Sequence, residues 1–270
     1  MTEPASAAGA TRKAAVAAAF GAAASGYEAE AALQRRVAER LAERVAAQPS
    51  PQAPRILELG CGTGFLTRAL ARRWPRAHWL ITDLSPAMVG HCRDHADFAC
   101  AEARFLAMDG ERPCLLPPRG EGGFDVICMS LAMQWFADPA QALAGLAGLL
   151  APDGLLAWST LAEGAFAEWR QAHAALGLAA GTPDYLSAAA LARLWPAGGT
   201  GAVELEAIRS HHPDGLAFLR ALRAIGADVP ASGHQPLPAG ALRRVLRHFT
   251  APAGVTVTYN IAYGLYRRVG

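Results

Sequence analysis

The segment with the clearest chemical signal is a glycine-rich turn, Glu58-Leu59-Gly60-Cys61-Gly62-Thr63-Gly64, between a predicted strand and a predicted helix. Glycines at such a turn let a ligand approach the backbone and the N-terminus of the helix. The dinucleotide fingerprint G-x-G-x-x-G is incomplete, because Phe65 stands where its third glycine belongs. A Walker phosphate loop is excluded, since the only lysine of the chain is Lys13. The turn therefore predicts a different class of ligand site.

The elements around this turn predict how it is positioned. Five apolar runs after residue 54 alternate with helical stretches: they are RILEL, HWLIT, ARFLA, FDVICMS and LLAWST. This alternation is typical of an α/β doubly wound fold, a parallel sheet covered by helices on both faces. Two later runs, AVELEAIRS and VTVTYNIAYGLYRR, predict further strands. With 52% hydrophobic and 18% charged residues, the 270-residue chain can bury the core that this fold needs.

A proline-rich segment at residues 48–54 divides the chain. Residues 1–54 predict N-terminal helices, separated by breaks at Gly21 and Gly26, and residues 55–270 predict the main domain. Within the main domain, residues 211–254 carry two helical patches and are too long for a plain connection between strands. We expect this insertion and the N-terminal helices to form a lid.

Composition excludes several function classes. A formal charge of +2 gives no reason to expect nucleic-acid binding, and no apolar run approaches the ~20 residues that span a membrane. Five cysteines without C-x-x-C spacing predict neither a disulfide framework nor a zinc site. The adjacent His211 and His212 have no evident third ligand, so no metal is predicted. We expect a cytoplasmic protein, and a monomer.

The glycine-rich turn resembles motif I, E/D-x-G-x-G-x-G, of the class I S-adenosylmethionine-dependent methyltransferases. An acid ends the next strand (Asp83), another follows the third strand (Asp109), and FDVICMSLAMQW resembles motif IV. The resemblance implies a Rossmann-like, mostly parallel seven-stranded sheet and S-adenosylmethionine as cofactor. Asp83 would hold the ribose hydroxyls, Asp109 the adenine amino group, and Glu58 would lie near the cofactor's own amino group. The implied cofactor-binding residues are Glu58, Gly60, Gly62, Gly64, Asp83, Leu84, Met108, Asp109 and Ser130.

Segments outside this shared core resemble the malonyl-acyl-carrier-protein O-methyltransferases of biotin synthesis. The matching patterns are F-x-x-x-A-x-x-Y at residues 20–27, L-A-x-Q-W at 131–135 and R-A-I-G-A at 223–227. They imply methyl esterification of the free carboxylate of malonyl-acyl carrier protein, or of malonyl-CoA. Two alternatives stay open. One is a methyltransferase of a free small carboxylate, similar to trans-aconitate methyltransferase, and the other is a catalytically silent scaffold that binds S-adenosylmethionine.

Four residues are candidates for the acceptor side. A buried carboxylate calls for a paired cation with a planar fork, for which Arg223 is the first choice. Tyr27 could donate to the carboxylate or to the thioester carbonyl, and Gln134 and Trp135 would line the pocket at the carboxyl edge of the sheet. Simpler interpretations stay open for three of them: Arg223 as a solvated helix arginine, and Tyr27 and Trp135 as packing aromatics.

The resemblance also implies an acidic acyl carrier protein as partner. Such a partner would dock on an arginine patch beside the pocket. Arg243, Arg244 and Arg247 have a spacing that places two or three of them on one helical face. An ordinary exposed helix has the same pattern, so the docking surface is a hypothesis.

Overall fold

The computed structural model of the chain describes residues 4–95, 100, 102–115 and 122–270, so residues 1–3 of the predicted N-terminal segment lie outside it. Seven strands form one sheet in the order β3-β2-β1-β4-β5-β7-β6. The strands are β1 (Arg55–Leu59), β2 (His78–Asp83), β3 (Glu102–Ala107), β4 (Phe124–Ser130), β5 (Leu150–Leu161), β6 (Gly199–His212) and β7 (Val255–Arg268). The five strands β1–β5 pair in parallel, and β7 is antiparallel to both of its neighbours. The predicted fold class is confirmed.

Helices cover the sheet, and their bounds agree with the predicted alternation. They are α1 (Pro4–Ala23), α2 (Tyr27–Glu30), α3 (Ala32–Ala46), α4 (Phe65–Ala71), α5 (Pro86–Asp94), α6 (Pro139–Gly148), α7 (Ala167–Ala174), α8 (Ala188–Ala192), α9 (Gly215–Ala224) and α10 (Ala239–Phe249). A short 3-10 helix spans Met133–Trp135. Within the described ranges, no helix has the length and apolarity that crossing a membrane requires.

The strand order places a crevice at the centre of the sheet. The chain runs outward from β1 through β2 to β3 and then returns to pair β4 with the other side of β1. In open α/β sheets, ligands bind at this switch point, beyond the carboxyl ends of the strands. Both central strands are buried on both faces, as Ile56, Leu57, Val126 and Ile127 show. The glycine-rich turn follows β1 and Ser130 ends β4, so both lie at the crevice.

The N-terminal helix α1 lies over this crevice. The helix continues through Gly21, so the predicted break at Gly21 is wrong. The break lies at residues 24–26 and includes Gly26, as predicted. A β-carbon at position 21 would approach Ser85 Oγ to 2.9 Å. Gly21 thus permits close packing of α1 on the start of α5. At its other contacts, the Phe20 ring packs edge-on against Trp135, with 5.7 Å between centroids.

The end of α9 explains the R-A-I-G-A pattern. Gly226 has a φ of +69°. Its N–H bonds to the carbonyl of Arg223 at 3.0 Å, and the N–H of Ala227 bonds to the carbonyl of Leu222 at 2.9 Å. This pair of bonds is a Schellman motif, which requires a left-handed residue after the helix. A β-carbon on Gly226 would also come within 2.7 Å of the Ala19 carbonyl oxygen. The glycine therefore ends α9 and seats α1 on it.

Gly226→Ala is expected to loosen α1. The added methyl group is strained at a positive φ and would push against the backbone of α1. If α1 loses about 1.4 kcal/mol of its packing free energy on α9, it detaches about tenfold more often. Limited trypsin cleavage after Arg12 and Lys13 should accelerate by about that factor. The matched control is Gly233→Ala, which has a φ of +77° but no neighbour within 4 Å of the added carbon. Equal acceleration in both variants would remove the close approach to α1 from the explanation.

Candidate active site

The glycine-rich turn has a conformation that only glycine adopts easily. Gly60, Gly62 and Gly64 have φ values of +67°, +53° and +94°. A β-carbon built on Gly60 would lie 2.8 Å from the β-carbon of Ala132, whereas one built on Gly62 would have no neighbouring atom within 4 Å. The open side of Gly62 faces a cavity that we call the turn cavity. Its lining includes Glu58, Asp83, Leu84, Asp109 and Ser130 from the sheet edge and Phe20, Tyr27 and Gln34 from the N-terminal helices.

Asp83 holds the turn in place. Its carboxylate accepts the N–H of Gly62 at 2.9 Å through one oxygen and the N–H of Ser85 at 2.8 Å through the other. Burial raises the pKa of Asp83, although these backbone N–H groups favour its ionised form. Each carboxylate oxygen has a second lone pair available, and the side chain lines the turn cavity. Asp83 can therefore support the turn and accept hydrogen bonds from a ligand at the same time.

Glu58 is the most deeply buried acid of the site. Only 1% of its surface is exposed, and its carboxylate accepts the Thr67 hydroxyl at 2.6 Å. Burial raises the pKa of Glu58 from its ordinary value of 4.5 to about 8. Within the described residues its carboxylate forms no salt bridge with a cation. A cationic ligand group at this end of the turn cavity would supply the missing counter-charge.

Lys13 joins α1 to the acidic end of β3. Its ammonium lies 2.5 Å from Asp109 and 2.6 Å from Glu111. Partial burial lowers the pKa of Lys13, but the hydrogen bonds to Asp109 and Glu111 outweigh it and raise the pKa overall. Glu111 also accepts the backbone N–H groups of Ala137 and Asp138. The sequence did not predict these salt bridges. The one signal it offered was that Lys13 is the only lysine of the chain.

A second cavity, which we call the aromatic cavity, adjoins the turn cavity. Both are lined by Phe20, Tyr27, Gln34, Leu131 and Trp135, so these residues mark the junction. Five packed aromatic rings form much of the remaining wall: Phe166, Trp169, Tyr185, Phe218 and Tyr259.

The predicted acceptor residues differ in where the structure places them. Tyr27, Gln134 and Trp135 line the aromatic cavity. Arg223 does not: its side chain is 83% exposed and pairs with Asp228 at 3.1 Å. The face of α9 that packs inward carries Phe218 and Leu222. Arg223 directly follows Leu222 on the helix, so its side chain points away from that face. The structure therefore does not bring Arg223 to the cavity.

Gln134 and Tyr27 have distinct environments. The Gln134 amide donates to the carbonyl of Leu131 at 2.7 Å and accepts the Thr160 hydroxyl at 3.2 Å. It thereby holds Leu131, whose φ is +51°, at the junction. Tyr27 packs between Phe20 and Phe65, and burial raises its pKa well above the ordinary value of 10.0. Its hydroxyl stays protonated near neutral pH and is available as a donor.

Comparison with known proteins agrees with this geometry. A family profile described as a methyltransferase domain matches residues 56–154. A malonyl-acyl-carrier-protein O-methyltransferase from Magnetococcus marinus is 44% identical over 243 residues, covering 90% of this chain and 88% of that protein. The chain belongs to this family.

Two further similarities extend the comparison. The biotin biosynthesis bifunctional protein BioCD of Bordetella avium is 50% identical over 251 residues. These residues are 92% of this chain and 51% of that protein, so the chain spans about half of the longer relative. The solved plantazolicin methyltransferase BpumL, in complex with SAH, is 14% identical, with a TM-score of 0.52 over 96% of this chain and 95% of that one. It supports the class I methyltransferase fold.

As a member of the O-methyltransferase family, the chain uses S-adenosylmethionine, and the turn cavity fits that group. Glu58 offers a buried carboxylate to an amino group, the open side of Gly62 admits a ligand to the backbone, and Asp83 and Asp109 offer acceptors further along. Of the nine predicted cofactor-binding residues, all but Gly64 and Met108 line the cavity. Gly64 precedes α4, and Met108 uses its backbone N–H to bond the Asp83 carbonyl at 2.9 Å.

Proposed function

We propose that this O-methyltransferase esterifies the free carboxylate of malonyl-acyl carrier protein. The observation that carries the proposal is the junction of the two cavities, where a cofactor site meets an apolar chamber behind Tyr27 and Trp135. The relatives from Magnetococcus marinus and Bordetella avium are named for malonyl-acyl-carrier-protein methylation and biotin biosynthesis. S-adenosylmethionine, when bound, supplies an electrophilic methyl group on a sulfonium.

The chain's own residues need no general base for this reaction. A malonyl carboxylate is more acidic than a glutamate side chain, so it is ionised near neutral pH. The residues at the junction have to hold the carboxylate in line and keep water out, and orientation alone can contribute several kcal/mol. Tyr27 is our candidate donor to the acceptor, and Gln134 and Trp135 shape the entrance.

The aromatic wall is suited to excluding water. The Phe166 and Tyr259 rings meet edge-on at 5.0 Å between centroids, and Trp169 meets Phe218 edge-on at 5.7 Å. Burial raises the pKa of Tyr185 to about 12, so it too remains uncharged. We infer that α1 and the segment carrying α9 and α10 together act as the lid over this chamber, since both pack on its walls.

Mass spectrometry of two carrier proteins tests the function. Incubation with S-adenosylmethionine should add one methyl group to malonyl-acyl carrier protein and none to acetyl-acyl carrier protein, which has no free carboxylate. Methylation of trans-aconitate or another free small carboxylate in preference to the malonyl carrier would contradict the proposed acceptor. Cofactor binding without methylation of any of these would favour a silent scaffold.

The docking surface gives a second testable outcome. Arg243, Arg244 and Arg247 are exposed on α10, and within the described chain none of them forms a salt bridge. The opposite face of α10 packs Phe249 on Trp169, a wall residue of the aromatic cavity, with 5.1 Å between ring centroids. We propose that this exposed arginine face receives the acidic carrier protein.

Arg243→Glu with Arg244→Glu should raise KM for malonyl-acyl carrier protein about tenfold and leave KM for malonyl-CoA unchanged. Rim charges act through steering and complementarity, so the effect should shrink as salt is added. The matched control reverses Arg72 and Arg73, two exposed arginines after α4. An equal rise for both substrates, or the same rise in the control, would refute docking on α10.

A further inference from the structure

The junction between the two cavities contains a side-chain amide with no hydrogen-bond partner among the described residues. Gln34, in the first turn of α3, lines both the turn cavity and the aromatic cavity. Its side chain takes part in none of the hydrogen bonds formed among the described residues. Gln134, the other glutamine of the aromatic cavity, is held by Leu131 and Thr160. Gln34 is therefore the glutamine whose amide can turn to a ligand.

The aromatic cavity has one basic residue, His234, in its described lining. Among the described lining residues of the aromatic cavity there is neither an arginine nor a lysine. Arg170 beside Tyr185 is paired with Asp184, and Lys13 is paired with Asp109 and Glu111. Arg12 is not a lining residue, but its guanidinium stacks over the Trp135 ring, 5.3 Å from the centroid, and its charge opposes the burial that raises the pKa of Tyr185. At the junction itself, the lining side chains that can donate are the neutral Tyr27, Gln34 and Trp135.

Neutral donors suit the chemistry of esterification. As the O–CH3 bond forms, the S–CH3 bond of the sulfonium would break and S-adenosylhomocysteine would leave as a neutral thioether. The acceptor carboxylate would lose its negative charge in this step, so a paired arginine would stabilise the ground state more than the transition state. The positive charge of the cofactor already balances the carboxylate before the reaction. An amide N–H orients an oxygen atom through a directional hydrogen bond without adding a full charge.

We propose that Gln34 donates its side-chain amide to the acceptor carboxylate and so selects and orients malonyl groups, an inference that rests on the proposed function. Tyr27, at the same junction, supplies the second donor. A described wall without a lining arginine suits this reaction, and Arg223 is exposed because the opposite face of α9 packs inward.

Gln34→Met tests the proposal because it keeps the length of the side chain and removes its donors. Loss of a hydrogen bond to a charged group should lower kcat/KM for malonyl-acyl carrier protein about 10- to 100-fold. The dissociation constant of S-adenosylhomocysteine should stay within about twofold. Gln34→Glu should lose more, and recover part of the activity as the pH falls below about 5, because a protonated carboxyl can donate again. The matched control on α3 is the exposed Glu39→Gln.

A binding cycle supplies a readout besides activity. Malonyl-pantetheine and acetyl-pantetheine are titrated calorimetrically into the S-adenosylhomocysteine complexes of the wild-type protein and of Gln34→Met. The variant should weaken binding of the malonyl compound about tenfold or more and leave the acetyl compound unchanged. Equal weakening of both, or a malonyl-specific loss in Arg12→Gln instead, would overturn the role of Gln34. A wild-type protein that binds malonyl-pantetheine selectively but does not methylate it would contradict the proposed function and leave this selection intact.

Discussion

Glu58→Gln is expected to weaken S-adenosylmethionine binding by about 30- to 150-fold, corresponding to about 2–3 kcal/mol. The buried carboxylate is the group we assign to the cofactor's amino group, and its hydrogen bond from Thr67 does not provide a countercharge. The amide has the same shape, so the fold should be retained. Quenching of tryptophan fluorescence can follow the titration, because Trp135 lines the turn cavity. The exposed Glu39→Gln is the control, and unchanged affinity in Glu58→Gln would remove Glu58 from the cofactor site.

The raised pKa of Glu58 predicts a pH dependence with a definite sign. Because its pKa is about 8 in the folded chain and 4.5 ordinarily, the ligand-free folded state holds more protons between these values than the unfolded state does. The stability that Glu58 contributes is therefore complete below about pH 4.5 and is lost as the pH rises toward 8. Denaturant titrations of Glu58→Gln should show a flatter dependence over this window. Parallel curves for the wild type and the variant would contradict the burial effect.

Asp83→Asn is expected to weaken cofactor binding about 100-fold or more and to destabilise the ligand-free protein by about 1–3 kcal/mol. An amide has one acceptor oxygen, so it cannot accept from both Gly62 and Ser85 as the carboxylate does. One backbone N–H then faces an amide N–H, and the turn loses the support that holds Gly62 against the cavity. Asp94→Asn, at an exposed acid, is the control for the loss of one charge. Destabilisation without loss of affinity would limit Asp83 to a structural role.

Much of the fold and of the turn cavity followed from local sequence patterns. Alternating strands and helices predict a parallel sheet. The acids Glu58, Asp83 and Asp109 each stand at or just beyond the carboxyl end of a predicted strand, and these ends meet at one edge of a parallel sheet. Gly60 and Gly62 likewise indicate, from residue type alone, a turn with positive φ values, and the structure has this conformation. Their roles toward the cofactor stay predictions that the variants above test.

The acceptor side could not be predicted in the same way. The salt bridge of Lys13 with Asp109 joins residues that are 96 positions apart in the sequence. Gln34 reaches the junction only because α3 packs beside α4. The R-A-I-G-A pattern predicts Arg223 at the acceptor, but a helix presents neighbouring residues about 100° apart, and the inward face of α9 carries apolar side chains. The apolar spacing of Phe218, Leu219 and Leu222 does indicate the inward face of α9. Residue type and spacing do not specify which distant segments meet at the cavities, because packing between those segments decides it.

The most direct test of the central claim uses S-adenosylmethionine carrying a carbon-13 methyl group. After incubation with malonyl-acyl carrier protein, nuclear magnetic resonance identifies the atom to which the labelled methyl is attached. The account predicts a single methyl ester signal, on oxygen, which esterase treatment removes and which acetyl-acyl carrier protein never shows. A label attached to carbon, or no transfer by a protein that binds S-adenosylhomocysteine in the turn cavity, would contradict carboxylate esterification by this chain.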